Sequence, residues 1–325
     1  MGKARDYIPS LKMGHKIYPE DIAGMVGLPH IGKVIYVDSN SGNDSTNAGS
    51  TQANALKTVA AAYAKCTSGN HDVVILAPSG GTGRTTETTA ITWGKRFTHI
   101  VGSCAPSAQT PRAGMNFSGT TGTASGSITF SENGCLIKNI TLNATDDNNS
   151  FVTVTGDYNS FLGVDFKGAT NATTGDDTAA RALVLTGAEE NYFGGCSIGS
   201  DTYSRSTTNA SLELTAASAR NVFENCFFPI HADNAGALFF KAASAADIDR
   251  FVHFKNCMFH NAIYSASTTL TTAFSLHAAV GGTVILDGCS VLGAADWSTD
   301  YTALVACNNP KVTAANSGFM ETVTT

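Results

Sequence analysis

The sequence predicts an all-β chain wound as a single-stranded parallel β-helix, a solenoid in which short strands stack rung upon rung. Composition, a repeated motif and the spacing of that motif each point there. Of the 325 residues, Ser, Thr and Asn supply 28, 40 and 23 and Gly a further 32, while charged side chains make up only 14%. Ser, Thr, Asn and Gly are mediocre or poor helix formers, whereas Thr with the β-branched and aromatic residues suits strands. Six segments align as one motif: residues 137–142 (IKNITL), 161–166 (FLGVDF), 193–198 (FGGCSI), 223–228 (FENCFF), 254–259 (FKNCMF) and 286–291 (LDGCSV). At their fourth position stand Ile140, Val164, Cys196, Cys226, Cys257 and Cys289, at intervals of 24, 32, 30, 31 and 32 residues. A unit of about 30 residues with two or three short strands cannot close a core alone and must stack on its neighbours.

The elements follow in chain order. Residues 1–32 carry Lys3, Arg5, Lys12 and Lys16 with Tyr7, Tyr18 and three prolines, and show neither helical nor strand periodicity. They are expected to form an extended arm that gains order only against a partner. Residues 33–38 (KVIYVD) and 72–77 (DVVILA) read as strands, and residues 54–66 (NALKTVAAAYAKC) as a short Ala-rich helix. A helix plugging the first rung covers the apolar lumen and the strand edge that an open coil end exposes. From residue 137 each motif belongs to a rung with a second strand: residues 151–154, 183–185, 212–214, 238–240, 274–276 and 304–306. One corner is compact and the other long and variable. Because each rung rises by one strand spacing, about 4.8 Å, Phe161, Phe193, Phe223 and Phe254 are expected to stack inside, beside the Cys column. The β-helix is expected to run over residues 33–325 and to end in an irregular C-terminal cap.

Residues 36–50 (YVDSNSGNDSTNAGS), followed by residues 55–58 (ALKT) with their helix and residues 73–78 (VVILAP), resemble the opening of many pectate-lyase-like right-handed β-helix proteins. The rungs extend that resemblance to about residue 292. It implies a right-handed coil and leaves activity open, because lyases, hydrolases and non-catalytic phage proteins share this opening. No polygalacturonase or pectate-lyase active-site motif can be placed residue by residue, so no family catalytic residue is carried over.

A net charge of −6 gives the chain no bulk attraction for nucleic acid, and no apolar run approaches a membrane span. The eight cysteines are scattered through a chain long enough to do without disulfides and are expected to stay reduced, as small apolar side chains. Thiols spaced by whole rungs lie on a line and cannot surround a zinc ion. The Asp and Asn run of residues 38–44 faintly echoes a calcium loop, and residues 80–86 (GGTGRTT) a phosphate loop without its Lys-Ser/Thr pair. No metal or cofactor is assigned.

Cleavage of a polysaccharide needs acids close together on one face. The expected outward columns are Lys138, Leu162, Gly194, Glu224, Lys255, Asp287; Thr141, Asp165, Ser197, Phe227, Met258, Ser290; and Thr153, Val184, Glu213, Phe239, Ser275, Val305. No two acids stand on adjacent rungs. Glu213, Glu224 and Asp287 therefore read as solvated or interface charges, and remain the catalytic candidates if the chain is an enzyme. The turn pairs Asp146-Asp147, Asp176-Asp177 and Glu189-Glu190 read as solvated. Val184, Phe239, Val305, Phe227 and Met258 are apolar at outward positions, which predicts an oligomer interface and favours threefold association.

A basic arm before a rigid, low-charge coil resembles phage virion proteins. The expected function is a non-enzymatic, homotrimeric capsid decoration or cement protein, made in a host cytoplasm and resident in the virion. Its arm, through Lys3, Arg5, Tyr7, Lys12, Lys16 and Tyr18, would hold it to the major capsid protein or another virion protein. The alternative is a tailspike or depolymerase that binds or cleaves host surface polysaccharide, and acids assembled between subunits keep that alternative open.

Overall fold

The computed structural model describes residues 32–78, 84–118, 127–144, 150–168, 170–262 and 268–308. The arm residues Lys3, Arg5, Tyr7, Lys12, Lys16 and Tyr18, the pair Asp146 and Asp147, and the chain beyond residue 308 lie outside the described residues. Strands pair in parallel along three sheets. Sheet A has ten strands, from Val34–Val37 to Leu304–Cys307. Sheet B has nine and runs from Arg84–Glu87 to Ser290–Leu292, and sheet C has seven, from Ile91–Trp93 to Phe274–Leu276. The chain visits A, B and C in turn, and the crossovers wind right-handed, as a right-twisted strand requires. The strands Val34–Val37 and Val73–Leu76 are already the first two strands of sheet A, and the first of them has no counterpart in sheets B and C among the described residues.

Each six-residue motif spans a corner. In residues 223–228, Glu224 ends a strand of sheet A, Phe227 opens one of sheet B, and Asn225 turns between them. That third position is left-handed in every motif: φ is 54° at Asn139, 60° at Gly163 and Gly195, 54° at Asn225, 51° at Asn256 and 63° at Gly288. The repeat holds Asn or Gly there because these residues enter that region at least cost. The corner amides continue the ladder, each donating to the next rung, as Asn225 does to the Lys255 carbonyl at 2.9 Å.

The lumen is apolar and stacked. Phe161 and Phe193 lie 4.7 Å apart at an interplanar angle of 3°, Phe193 and Phe223 4.5 Å at 9°, and Phe223 and Phe254 5.1 Å at 19°. Cys196, Cys226, Cys257 and Cys289 are buried beside them, and all eight cysteines are free thiols. Each ladder thiol donates to the carbonyl of the preceding rung's Phe at 3.2 to 3.3 Å. A second ladder was not read from the sequence. The Oδ1 atoms of Asn159, Asn191 and Asn221 accept from the main-chain amides of Cys135, Asn159 and Asn191 at 2.8, 2.9 and 3.0 Å.

The capping helix, α1, spans Val59–Lys65 with Thr58 as its N-cap. Buried Glu87 receives its first two free amides, from Val59 at 2.7 Å and Ala60 at 3.2 Å. Lys95 donates to the carbonyls of Tyr63 at 2.7 Å and Cys66 at 2.8 Å at the other end.

The outward columns expected for sheets A and B have the observed register, and the one expected for sheet C does not. Glu213 pairs in register with Val184 and Lys241, not Phe239. Phe239 and Phe240 both turn inward at a corner: Phe239 is fully buried, 5.6 Å from Phe259, and Phe240 lies 5.4 Å from Phe274. Simple alternation fails there, so Phe239 is core. Val184 faces outward but is only 8% exposed between Thr153 and Glu213. Val305 is 52% exposed, yet it pairs with Ile285 in sheet A, away from Val184.

Candidate functional site

The three candidate acids lie on two different sheets. Glu213, on the outer face of sheet C, is gripped by Arg181 at 2.6 Å and Lys241 at 3.2 Å. Arg181 and Lys241 come from the preceding and following rungs, and Arg181 is itself anchored on the carbonyls of Thr178 and Ala180 at 3.0 and 2.7 Å. Sequence reasoning missed both cations, because Arg181 stands two residues ahead of the strand core that was aligned and Lys241 was displaced by the misplaced register.

Glu224, on the outer face of sheet A, accepts from Lys255 at 2.8 Å and from the Tyr192 hydroxyl at 2.9 Å. Those bonds hold its carboxyl below the usual glutamate range. In return, burial and the bond to Glu224 push the Tyr192 phenol up to about 12. Asp287 flanks Lys255 on the next rung and accepts from Asn308 at 2.9 Å. Glycoside hydrolysis needs a second carboxyl about 5 to 10 Å from the first. In register, Glu213 faces Val184 and Lys241, Glu224 faces Gly194 and Lys255, and Asp287 faces Lys255 and Cys307, so no two stand on adjacent rungs. Glu224 and Asp287 share one column two rungs apart, roughly 9.6 Å, with Lys255 between them and paired to Glu224.

Asp165 on sheet B is the one deeply buried outer acid of these columns, 1% exposed. One oxygen receives the Thr110 amide at 2.9 Å and Lys167 at 3.2 Å, the other has no partner, and burial raises its pKa. Lys167 also donates to the Thr110 hydroxyl at 2.9 Å. The pair latches the loop around Thr110 onto the sheet.

The turn acids are structural as well. Arg220 binds Glu189 at 2.7 Å and Glu190 at 2.8 Å, Asp177 receives the Ala179 amide at 2.8 Å, and Asp176 accepts from Ser206. In the run that echoed a calcium loop, Asp38 accepts from the Asn40 amide and the Ser41 hydroxyl, and Asp44 from the amides of Lys57 and Thr58. Among the described residues no three His, Cys, Asp or Glu side chains come together as a metal site.

One groove, of about 450 Å³, lies over the first rungs of sheet A. Tyr36, Ile75 and Val101 form its floor in one register column, Pro106 contributes to its wall, and Asp38 and Lys138 supply charge at its margin. The apolar floor with few polar groups suits a ligand. No helix among the described residues is long and apolar enough to cross a membrane.

No family model and no curated protein matches the chain. Among solved structures, it is similar to the ORF18 protein of Geobacillus virus E2, with TM-score 0.54 and 15% identity over 85% of this chain and 51% of that one. The chain thus spans about half the length of the viral protein. It is similar also to a pectin methylesterase solved with a hexasaccharide, with TM-score 0.54 and 12% identity over 87% of this chain and 91% of that one. A pectate lyase, Pel9A, matches with TM-score 0.49 and 19% identity over 88% of this chain and 70% of that one. At such identities the likeness is one of fold, and the three-sheet parallel coil together with the first two structures makes this chain a right-handed parallel β-helix.

Proposed function

We propose that the chain is a non-enzymatic structural protein of a phage virion, a self-associating β-helix tethered to the shell through residues 1–32. The observation that carries this reading is the pairing of its candidate acids: Glu213 is neutralised by Arg181 and Lys241, and Glu224 by Lys255. A carboxylate held by cations, with no second acid beside it in register, is poorly placed to transfer a proton or attack a sugar. The fold shared with a Geobacillus virus E2 protein supports the viral setting. The homotrimer and the decoration of a capsid belong to the same proposal.

The test has two parts. Particles assembled with protein lacking residues 1–32 should carry none of it, while the truncated coil still folds. Intact protein incubated with host surface polysaccharide should release no new reducing or unsaturated ends. Cleavage that Glu213→Gln or Glu224→Gln abolishes would replace this reading with the depolymerase one. That second reading draws support from the groove beside Tyr36 and Lys138, whose size and apolar floor would accept a sugar ring. Isothermal titration with host oligosaccharides, comparing the protein with Tyr36→Ala, measures it directly.

A further inference from the structure

Arg205 ends the strand Ser200–Arg205, which pairs with Phe227–Ala232 beside the main path of sheet B. Its register slips between Ser200 and Ser204. The intervening residues bulge toward solvent, and Arg205 re-enters the coil, where it is 1% exposed. Its Nη1 donates to Asn209 Oδ1 at 3.3 Å and its Nη2 to Ser211 Oγ at 2.9 Å, while Nε has no partner. A guanidinium carries five N–H donors, so three remain after these two bonds. Among the described residues no carboxylate pairs with it. The charge acting on it is Arg181, of like sign, whose own partner is Glu213. Burial, with Arg181 beside it, pulls its pKa down to about 9, so it remains a cation at neutral pH. A buried charge without a counter-charge is costly.

The surroundings hold this geometry firmly. The Asn209 amide nitrogen is committed to the carbonyls of Gly175 and Asp177 at 3.1 and 3.2 Å, which turns its oxygen toward Arg205. Gly199, at φ 116°, packs closely against the same groups: a Cβ there would come within 2.5 Å of the Pro229 carbonyl, 2.8 Å of Ser211 Oγ and 3.4 Å of Nη2, so a side chain at this position would disturb the Arg205 contacts. The Ser211 hydroxyl keeps its own proton as a further donor. We propose that this corner between sheets B and C binds one small monovalent inorganic anion, of chloride's charge and size, on the unused N–H groups of Arg205 and the Ser211 hydroxyl. The ion balances the buried charge and fixes the bulged rung.

The test uses the full-length protein exchanged into gluconate and then titrated with chloride or bromide at constant ionic strength. The melting midpoint should rise with the logarithm of halide concentration, by about 2 °C or more per tenfold above the dissociation constant. Crystals in bromide should show an anomalous peak within hydrogen-bonding reach of Arg205 Nε. Arg205→Met should lose both effects. If that variant fails to fold, Ser211→Ala keeps the guanidinium and should shift the halide midpoint to higher concentration. A halide-independent melt with only water at Nε overturns the proposal. A bromide peak without any effect on melting assigns an adventitious ion only, and overturns it equally.

Discussion

Asn225 shows how one atom decides a corner. A left-handed backbone puts Cβ against the carbonyl that follows, at a cost of roughly 1 to 2 kcal/mol for most residues, and the repeat meets this with Asn or Gly at all six corners. Asn225→Ala should therefore destabilise the protein by about 1 kcal/mol, and Asn225→Gly by no more than a few tenths, in equilibrium denaturation. An equal loss in both would assign the effect to the Asn side chain instead. His99 is the second informative residue. Its Nδ1 accepts the Leu136 amide at 3.0 Å, which leaves Nε2 to donate to His71 Nδ1 at 3.3 Å. Burial, with His71 beside it, lowers its pKa to about 4 from an ordinary 6.5. A base with a depressed folded pKa binds fewer protons in the native state than in the unfolded one. Its contribution is complete above about pH 6.5 and is lost as pH falls toward 4, an effect on the order of 3 kcal/mol. Denaturation measured at steps from pH 7 to 4.5 should show that loss, and His99→Gln should flatten it within the same window.

At the scale of the element, the capping helix is held by the coil more than by its own length. Seven residues are too few for a stable isolated helix, and α1 is clamped by Glu87 on its N-terminal amides and Lys95 on its C-terminal carbonyls, opposite charges at opposite dipole ends. Glu87→Ala should cost about 2 kcal/mol by stranding two amides, with faster hydrogen exchange at Val59 and Ala60. Glu87→Gln keeps one acceptor oxygen and should lose less; equal losses would mean that the charge, not the bonds, anchors the helix. The helix was legible from its Ala-rich run, whereas Glu87 sits in a polar stretch with no apolar period to announce a strand. Sheets A and B were legible in register because one left-handed residue turns the chain between them in each of the six motif rungs, so counting along those rungs never slips. Sheet C follows a corner of variable length and begins with consecutive inward residues, and there the count placed Phe239 opposite Glu213. The cations of the Glu213 cluster were hidden for the same reason, since a site built across three rungs can be read only once all three are in register.

For the whole molecule, the corrected register moves the question of self-association from sheet C to sheet A. Phe239 and Val184 offer no wet apolar surface, but the outer face of sheet A carries Tyr192, Val222, His253, Ile285 and Val305 in one register column over five rungs. Beside it runs Glu224, Lys255, Asp287, where acid and base alternate and can be met by a second copy shifted by one rung. Five rungs at about 4.8 Å span roughly 20 Å, and in the neighbouring Glu224 column the earlier outward residues Leu162, Val101, Ile75 and Tyr36, with Lys138 between Leu162 and Val101, extend the apolar part toward what a standard interface of about 800 Å² per partner requires. An interface of that kind should tolerate 1 M salt, because screening weakens exposed charge and leaves apolar burial intact. Ile285→Lys should dissociate the assembly in sedimentation equilibrium with little change in melting of the monomer, since Ile285 points away from the lumen. Phe239→Ala should do the reverse, lowering stability by about 3 to 5 kcal/mol through the cavity it leaves without a specific effect on association. If Phe239→Ala dissociates the assembly and Ile285→Lys does not, sheet A is not the contact face. A wild-type protein that sediments as a monomer would leave the sheet A column a solvent-facing stripe of a coil that acts alone.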